Sequence, residues 1–199
     1  MICRNAASVA IPVTLACISC VSKRVATSPQ PFAGASFYKA ADDFLRKKIA
    51  DPALRSRIRY DTVEQHSANM VLFRVENRLG LRDRNMILVH VNADFSVDTV
   101  FTRIDEPAIR RHIADPEHNF LYLSREGAIR LARQKGFEEG VKPWNIHLVC
   151  YAGRRNKVRW SVTNTLSVSS GPVYRAKGKA LGIDIDTCEV EERLWEAVE

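Results

Sequence analysis

The residues best suited to nucleophilic catalysis are Cys150 and His147, which lie three positions apart. The alternation of apolar and polar residues around them predicts a strand over residues 145–151, with Ile146, Leu148 and Cys150 on one face. Successive side chains on a strand point to opposite faces, so this separation directs the thiol and the imidazole away from each other. We therefore expect no thiol active site and predict no catalytic residues.

Carboxylates and histidines are the remaining candidates for ligand chemistry. Asp184 and Asp186 alternate on a predicted strand and, with Glu189, can supply oxygen ligands to a hard cation. The simpler interpretation is that these acids keep an exposed sheet face polar. The five histidines lack the paired spacing of zinc ligands. We predict neither a metal nor another cofactor.

A basic cluster surrounds a predicted hairpin. It comprises Arg154, Arg155, Lys157 and Arg159. A second group, before the last predicted strand, comprises Arg175, Lys177 and Lys179. If the two groups adjoin, they form a binding patch for an acidic protein or an anionic lipid. Alternatively, they are solvated charges that protect sheet edges from aggregation. The net charge of +7 on 199 residues is modest, and we predict no nucleic-acid partner.

Helix and strand signals after residue 123 place these side chains. Ser124 is a suitable N-cap, Glu126 suits the first helical turn, and Gly136 can adopt the left-handed conformation that ends a helix. Three strands are then predicted, over residues 145–151, 157–163 and 181–186. In the final segment, residues 191–198, the spacing of Leu194, Trp195 and Val198 favours a helical face that docks on a sheet.

The first half of the chain repeats this pattern, and there Asp51 followed by Pro52 fits an N-cap and a first helical position. A common offset relates the helical positions Ala41, Phe44 and Leu45 to Ala128, Leu131 and Ala132. The same offset relates the strand positions Val71, Phe73 and Val75 to Val158, Trp160 and Val162. The last strand of the second half needs a larger offset, which we attribute to a longer loop over residues 166–179.

The repeat predicts an α+β fold of two tandem α-β-β-β units, each a helix packed on an antiparallel sheet. Short apolar strands separated by turn residues favour antiparallel pairing. In this interpretation the first unit spans residues 37–103, a connector spans 104–123, and the second unit spans 124–199.

The second unit resembles the PepSY family. The resemblance rests on the helix opening SREGAI at residues 124–129, the strand motif WSV at 160–162, and the ending IDIDTCEV at 183–190. Cys188 stands where the family pattern has a glycine, a residue that supplies positive φ in a tight turn. The tandem layout is similar to that of β-lactamase inhibitor proteins. The resemblance implies non-catalytic binding, with regulation or inhibition of an envelope enzyme as its purpose.

The N-terminus is compositionally separate and predicts export. Arg4 is followed by an uncharged run over residues 5–22, and we assign residues 1–20 to a signal peptide. The run ends like a bacterial lipoprotein signal, which makes Cys20 the expected lipid attachment site, with Cys17 or ordinary secretion as alternatives. Residues 21–36, rich in Ser and Pro, predict a tether.

These features together predict an exported binding protein, anchored in the periplasm or at the cell surface through an N-terminal lipid. Its expected partner is an envelope protein or an anionic ligand. In an oxidising compartment Cys150 and Cys188 can form a disulfide, or they can be separate buried thiols. The alternative functions are a small hydrolase or metal-dependent enzyme that uses an exposed sheet face, and a structural envelope-assembly lipoprotein.

Overall fold

Four helices and nine strands follow one another in the residues that the structure describes. The computed structural model describes residues 33–64, 69–151, 156–170 and 174–198, so the predicted signal peptide and Cys20 lie outside the described residues. The helices are α1 (Ala33–Lys48), α2 (Pro52–Arg55), α3 (Glu106–Ala114) and α4 (Arg125–Gln134). The strands are β1 (Ile58–Glu64), β2 (Asn69–Val75), β3 (Met86–Val91), β4 (Val97–Arg103), β5 (Lys142–Tyr151), β6 (Lys157–Thr165), β7 (Ser167–Ser170), β8 (Tyr174–Asp184) and β9 (Val190–Val198).

Local signals in the sequence set several helix ends. The Asp51 carboxylate accepts hydrogen bonds from the amides of Ala53 and Leu54 at the start of α2. The Ser124 hydroxyl accepts one from the Gly127 amide at the start of α4. Gly136, just beyond α4, has φ of 71°. These caps were predicted and are confirmed, whereas α1 begins within the predicted tether.

The first sheet is an antiparallel meander in the order β1-β2-β3-β4. One of its faces packs against α1 and α3. The buried side chains of this cluster include Ala41 and Leu45 from α1, Ile49 just after it, Ile109 from α3, and Val71, Phe73, Ile87 and Val89 from the sheet. The apolar positions of α1 and the alternate positions of β2 therefore meet, as amphipathic elements require.

The second sheet contains five strands in place of the three predicted for that half. β6 and β7 pair with the same edge of β8, because Thr163 is opposite Ala180 and Ser167 is opposite Lys177. The Leu166 amide donates to the Lys177 carbonyl and continues the ladder between them. Much of the predicted loop over residues 166–179 is therefore β7 and the first part of β8. One extra residue between Thr163 and Ser167 relative to β8 forms a bulge, and pairing with β8 continues where a loop was predicted.

The helix predicted for residues 191–198 is wrong, because this segment forms β9. β9 pairs antiparallel with β8 from Val190 opposite Ile183 to Val198 opposite Arg175. The spacing of a few apolar residues over eight positions fits a helix and a strand about equally well. The free edge of β8 settles the outcome, since it offers a complete backbone hydrogen-bond partner.

The other face of the first sheet is also covered. Met70, Leu72, Met86 and Leu88 from this face are buried in one cluster with Ala128 and Ala132 of α4 and with Leu148, Trp160 and Ile183 of the second sheet. The Trp160 indole N–H donates to the Leu123 carbonyl within it, at 2.9 Å. The α+β class is confirmed. However, the two halves share this cluster, and α4 is the main helical cover of the second sheet.

Candidate functional site

The outer face of the second sheet is a polar surface built by four strands. In β6, Val158, Trp160 and Val162 are fully buried and the residues between them are not, so the strand has one buried face and one open face. The register then assigns one set of side chains to the open side, which we call the outer face. They include His147, Val149, Tyr151, Lys157, Arg159, Ser161, Thr163, Ala180, Gly182, Glu191 and Arg193; Asp184, opposite Arg159, is on the same side but is buried.

An arginine–glutamate network crosses the outer face. Arg159 donates to Glu191 at 2.6 Å, and Arg193 donates to the other oxygen of the same carboxylate at 2.7 Å. Hydrogen bonds from Arg193 and Arg159 hold the pKa of Glu191 below its usual value. The Arg159 guanidinium also lies 5.7 Å from the centre of the Tyr151 ring. The network holds the long Arg159 side chain across three strands.

A second ion-pair group occupies the end of β8. Lys157 Nζ lies 3.4 Å from an Asp184 oxygen and 3.5 Å from a Glu189 oxygen. The Asp184 carboxylate also accepts hydrogen bonds from the amides of Asp186 and Thr187. Burial by itself raises the pKa of Asp184, but these amides and Lys157 outweigh it and the pKa is lowered. Asp184 therefore organises the turn that follows β8.

The structure does not place the acidic residues as predicted. Asp184 is only 2% exposed, and Asp186 lies beyond the end of β8, so the two do not share an exposed strand face. A turn replaces the predicted strand end because the Asp184 carboxylate captures the next amides. Among the described residues there is no group of three His, Cys, Asp or Glu side chains placed to hold a metal ion.

The predicted basic patch is only partly within the described residues. Lys157 and Arg159 lie together on the outer face, where each is paired with carboxylates. Arg154 and Arg155 lie outside the described residues. In the second group, Lys177 and Lys179 are also close to glutamates, at 3.5 Å from Glu196 and 3.1 Å from Glu138. Arg175, the third member of that group, is exposed and has no carboxylate partner among the described residues, so the described part is only partly neutralised and the four-residue patch stays a prediction.

The two cysteines are separate, partly buried thiols in this structure. Cys150 pairs with the inward-facing Val158, whereas His147 pairs with Ser161 on the outer face, so the predicted opposition of thiol and imidazole is confirmed. Burial raises the pKa of Cys150 to about 11, and burial also raises the pKa of Cys188. A thiol with such a pKa is protonated at neutral pH and is a weak nucleophile.

The predicted Cys150–Cys188 disulfide is not formed in this structure, where both thiols are free. Cys150 lies on β5, and Cys188 lies in the turn that follows β8, with β6 between β5 and β8. Two strand spacings amount to about 10 Å, whereas a disulfide needs Cα atoms about 5.5 Å apart. The alternative of two separate thiols describes the structure.

Sequence reasoning missed the contribution of β9 to the surface. Interpreting residues 191–198 as a helix separated Glu191 and Arg193 from Arg159. Alternation was the available signal, because Glu191, Arg193 and Trp195 occupy every second position. The Trp195 indole N–H donates to the Asn164 carbonyl at 3.0 Å and holds this strand against the hairpin of β6 and β8.

Comparison of the chain with protein-family models, curated proteins and solved structures gave no match. The PepSY resemblance therefore stays an expectation from the residues that carry it. None of the helices in the described ranges is both long and apolar enough to cross a membrane.

Proposed function

We propose that this protein is a non-catalytic binding module that docks another protein on the outer face of its second sheet. The observation that carries the proposal is the open face itself, which extends over β5, β6, β8 and β9. Its middle positions are small residues, Ser161, Ala180 and Gly182, so the backbone lies close to the surface. A broad face of low relief suits a protein surface better than a small molecule, which needs a concave pocket.

The charged side chains of the outer face are arranged before a partner binds. Arg159 is only 17% exposed in its side chain and is fixed by Glu191, so little conformational freedom remains to be lost on binding. Tyr151 is exposed beside it, and Arg and Tyr are among the residues enriched at the centres of protein interfaces. The expected partner has alternating positive and negative groups that match this network.

The cellular part of the proposal rests on the sequence. Cys20 and the uncharged run before it support a lipoprotein signal, which would hold the module at an envelope membrane. In each half a helix precedes an antiparallel sheet, which supports two tandem PepSY-like α-β-β-β units with added strands. On this basis the proposed partner is an envelope protein, and the proposed role is regulation or inhibition of an envelope enzyme.

Site-specific photo-crosslinking tests the docking surface. A photoreactive phenylalanine analogue is placed at Tyr151 on the outer face, and in a matched protein at Tyr38 on α1, which is similarly exposed. Both proteins are expressed from the full-length gene and irradiated in intact cells. We expect a discrete heavier adduct from position 151 only.

Charge reversal at Arg193, which is exposed, is the companion experiment. Arg193→Glu should weaken the 151 adduct several-fold because it places a negative charge where the network presents a positive one. Adducts of equal yield from positions 151 and 38, or none from 151, would refute the docking face.

Metabolic labelling tests the proposed lipid anchor separately. Palmitate should label the wild-type protein in a bacterial host and should not label Cys20→Ser. Globomycin, which blocks the lipoprotein signal peptidase, should cause the unprocessed form to accumulate. Label that survives in Cys20→Ser but disappears in Cys17→Ser would move the anchor to Cys17, and unlabelled wild-type protein would contradict lipidation.

A further inference from the structure

We propose that an arginine-lined cleft at the edge of the first sheet binds a phosphomonoester, independently of the outer face of the second sheet. The cleft has a volume of about 420 Å³ and lies between the start of β1 and the loop that joins β2 to β3. Its lining includes the four arginines Arg57, Arg59, Arg74 and Arg82 and the two acids Asp61 and Glu76.

Two of these arginines are held side by side against their mutual repulsion. Arg59 on β1 is directly opposite Arg74 on β2 in the strand register. Like charges in directly opposed positions destabilise a sheet. Arg59 donates to Glu76 at 3.2 Å, and Arg74 lies 3.1 Å from Asp61 and 2.9 Å from Glu126. The acids orient the guanidinium groups, and each arginine keeps N–H groups that these contacts do not use.

The other two arginines supply unneutralised charge. Arg57 and Arg82 are exposed and have no carboxylate partner among the described residues. Their backbones are nevertheless fixed, because the Arg57 carbonyl accepts from the Glu76 amide and the Arg82 carbonyl accepts from the Ser124 hydroxyl. With the two carboxylates of the lining and Glu126 beside Arg74, the four guanidinium groups leave a surplus of one positive charge.

The walls of the cleft are also organised in advance. The Asn77 side chain accepts from the Leu81 amide at 3.1 Å and donates to the Leu81 carbonyl at 2.9 Å, which braces the loop that carries Arg82. Asn85, only 2% exposed, also lines the cleft, and its Oδ1 has no hydrogen-bond partner among the described residues.

This arrangement selects the chemical class of the ligand. A phosphomonoester carries a charge close to −2 at neutral pH and has three acceptor oxygens. The surplus positive charge attracts this dianion, and its oxygens match the paired N–H groups of guanidinium. Leu81, 41% exposed at the rim, offers apolar contact to the carbon part of the ester. The phosphomonoester can belong to a soluble ester or to a lipid head group.

Calorimetric titration with phenyl phosphate tests the site on the purified chain. We expect saturable binding that weakens as salt rises, since exposed charges are screened. Arg57→Gln combined with Arg82→Gln should weaken binding about tenfold or more, because two charge-assisted hydrogen bonds are lost. Neither side chain supports the fold, so the variant should keep the wild-type melting temperature.

A charge-matched control separates the cleft from general electrostatics. Arg111→Gln combined with Lys135→Gln removes the same charge from exposed positions outside the cleft and should change the affinity by less than about twofold. An equal loss in both double variants, or no saturable binding by the wild type, would overturn the proposal.

Vesicles distinguish the two sources of the phosphomonoester. The wild-type chain is sedimented with vesicles containing phosphatidic acid, a phosphomonoester lipid, or phosphatidylserine, a phosphodiester lipid. Preferential binding to phosphatidic acid that is lost in the Arg57/Arg82 variant assigns a lipid head group. Binding of phenyl phosphate without vesicle binding assigns a soluble ester, and failure of both refutes the site. Cross-linking at Tyr151 does not depend on any of these results.

Discussion

At the scale of single residues, Cys188 adopts a conformation that favours glycine. Its φ is 60°, in the left-handed region, and it follows the turn that Asp184 organises. The PepSY resemblance predicts a glycine at this position, and the observed φ is one that glycine adopts most readily. A Cβ in this region costs about 1 kcal/mol or more. The Cys188 side chain offsets part of that cost by packing against the shared core.

Substitution at Cys188 should therefore favour glycine over alanine. Cys188→Gly is expected to be more stable than Cys188→Ala by about 1 kcal/mol, because both lose the buried sulfur and only alanine retains the Cβ. Urea unfolding at equilibrium measures the difference. The same pair at Cys150, within β5, is the control and should show the reverse order. Alanine as the more stable residue at both positions would contradict the strain argument.

A buried histidine gives the protein a pH-dependent stability. His112 is 1% exposed. Its Nδ1 donates to the Asn119 carbonyl at 2.7 Å, and its Nε2 accepts from the side-chain Nδ2 of Asn77 at 3.2 Å. Burial lowers the pKa of His112 below its model-peptide value, and the bond to Asn119 offsets this only in part. The neutral ring thus ties α3 to the loop that also carries the arginine cleft.

Acid should weaken this tie in a defined pH window. The unfolded chain binds the His112 proton below about pH 6.5, whereas the folded protein resists it until lower pH. The stability contributed by neutral His112 is therefore fully present above pH 6.5. It is lost as the pH falls toward the folded pKa, and the free energy of unfolding then drops by at most about 1.4 kcal/mol per pH unit. Urea unfolding of wild type and His112→Gln between pH 7.5 and pH 5.5 measures it. If the free energies of unfolding of the two proteins changed with pH in parallel, His112 would not be the source of the pH dependence.

At the scale of elements, Gly178 lets three strands meet. A Cβ at Gly178 would collide with the Asn164 carbonyl oxygen and would lie 2.7 Å from the Trp195 ring. The nearest atom to a Cβ at Gly182, four residues along the same strand, would be 3.6 Å away, in ordinary contact with Arg159. The absent side chain at Gly178 thus allows Trp195 of β9 to lie flat against β8.

Alanine at these two glycines should have opposite consequences. Gly178→Ala is expected to destabilise the protein by about 2 kcal/mol or more, since a backbone atom blocks the new methyl group. Gly182→Ala should be neutral or slightly stabilising, because alanine restricts the unfolded chain more than glycine does. Thermal unfolding compares them. Equal losses of stability in the two variants would show that packing of Trp195 against Gly178 does not hold β9 in place.

The elements also show where sequence reasoning ends. Asp51 and Ser124 could be identified as caps because a cap acts on amides two or three residues away. The strand character of residues 190–198 could not be recognised in the same way, because its partner is the remote edge of β8. The outer face depended on that assignment, so its arginine–glutamate network was missed as well.

At the scale of the whole molecule, the first sheet has two buried faces. β2 has a nearly continuous run of buried residues, with Phe73 facing α1 and Leu72 facing α4 and the second sheet. Alternation predicts one solvated face, but the run Met-Val-Leu-Phe at residues 70–73 is also typical of a strand covered on both sides. The two halves of the chain therefore stabilise each other.

Truncation of Leu72 measures that mutual stabilisation. Leu72→Ala should lower the free energy of unfolding by about 3 kcal/mol, because Leu72 is 1% exposed in the shared cluster. Leu194→Ala removes the same atoms from a side chain that is 80% exposed and should cost less than about 0.5 kcal/mol. A single unfolding transition is expected in both variants. A cost at Leu72 as small as that at Leu194 would contradict the shared core.

The sequence by itself determined the class of fold, most strand positions and the helix ends at Asp51, Ser124 and Gly136, because these depend on alternation and on contacts within a few residues. The tertiary structure decided which faces are covered, that the last segment is a strand, and that Arg57, Arg59, Arg74 and Arg82 line one cleft. Those outcomes depend on pairing between strands and loops far apart in the chain. The local sequence pattern does not identify such partners, because the same apolar spacing and the same arginines are compatible with several pairings of strands and loops.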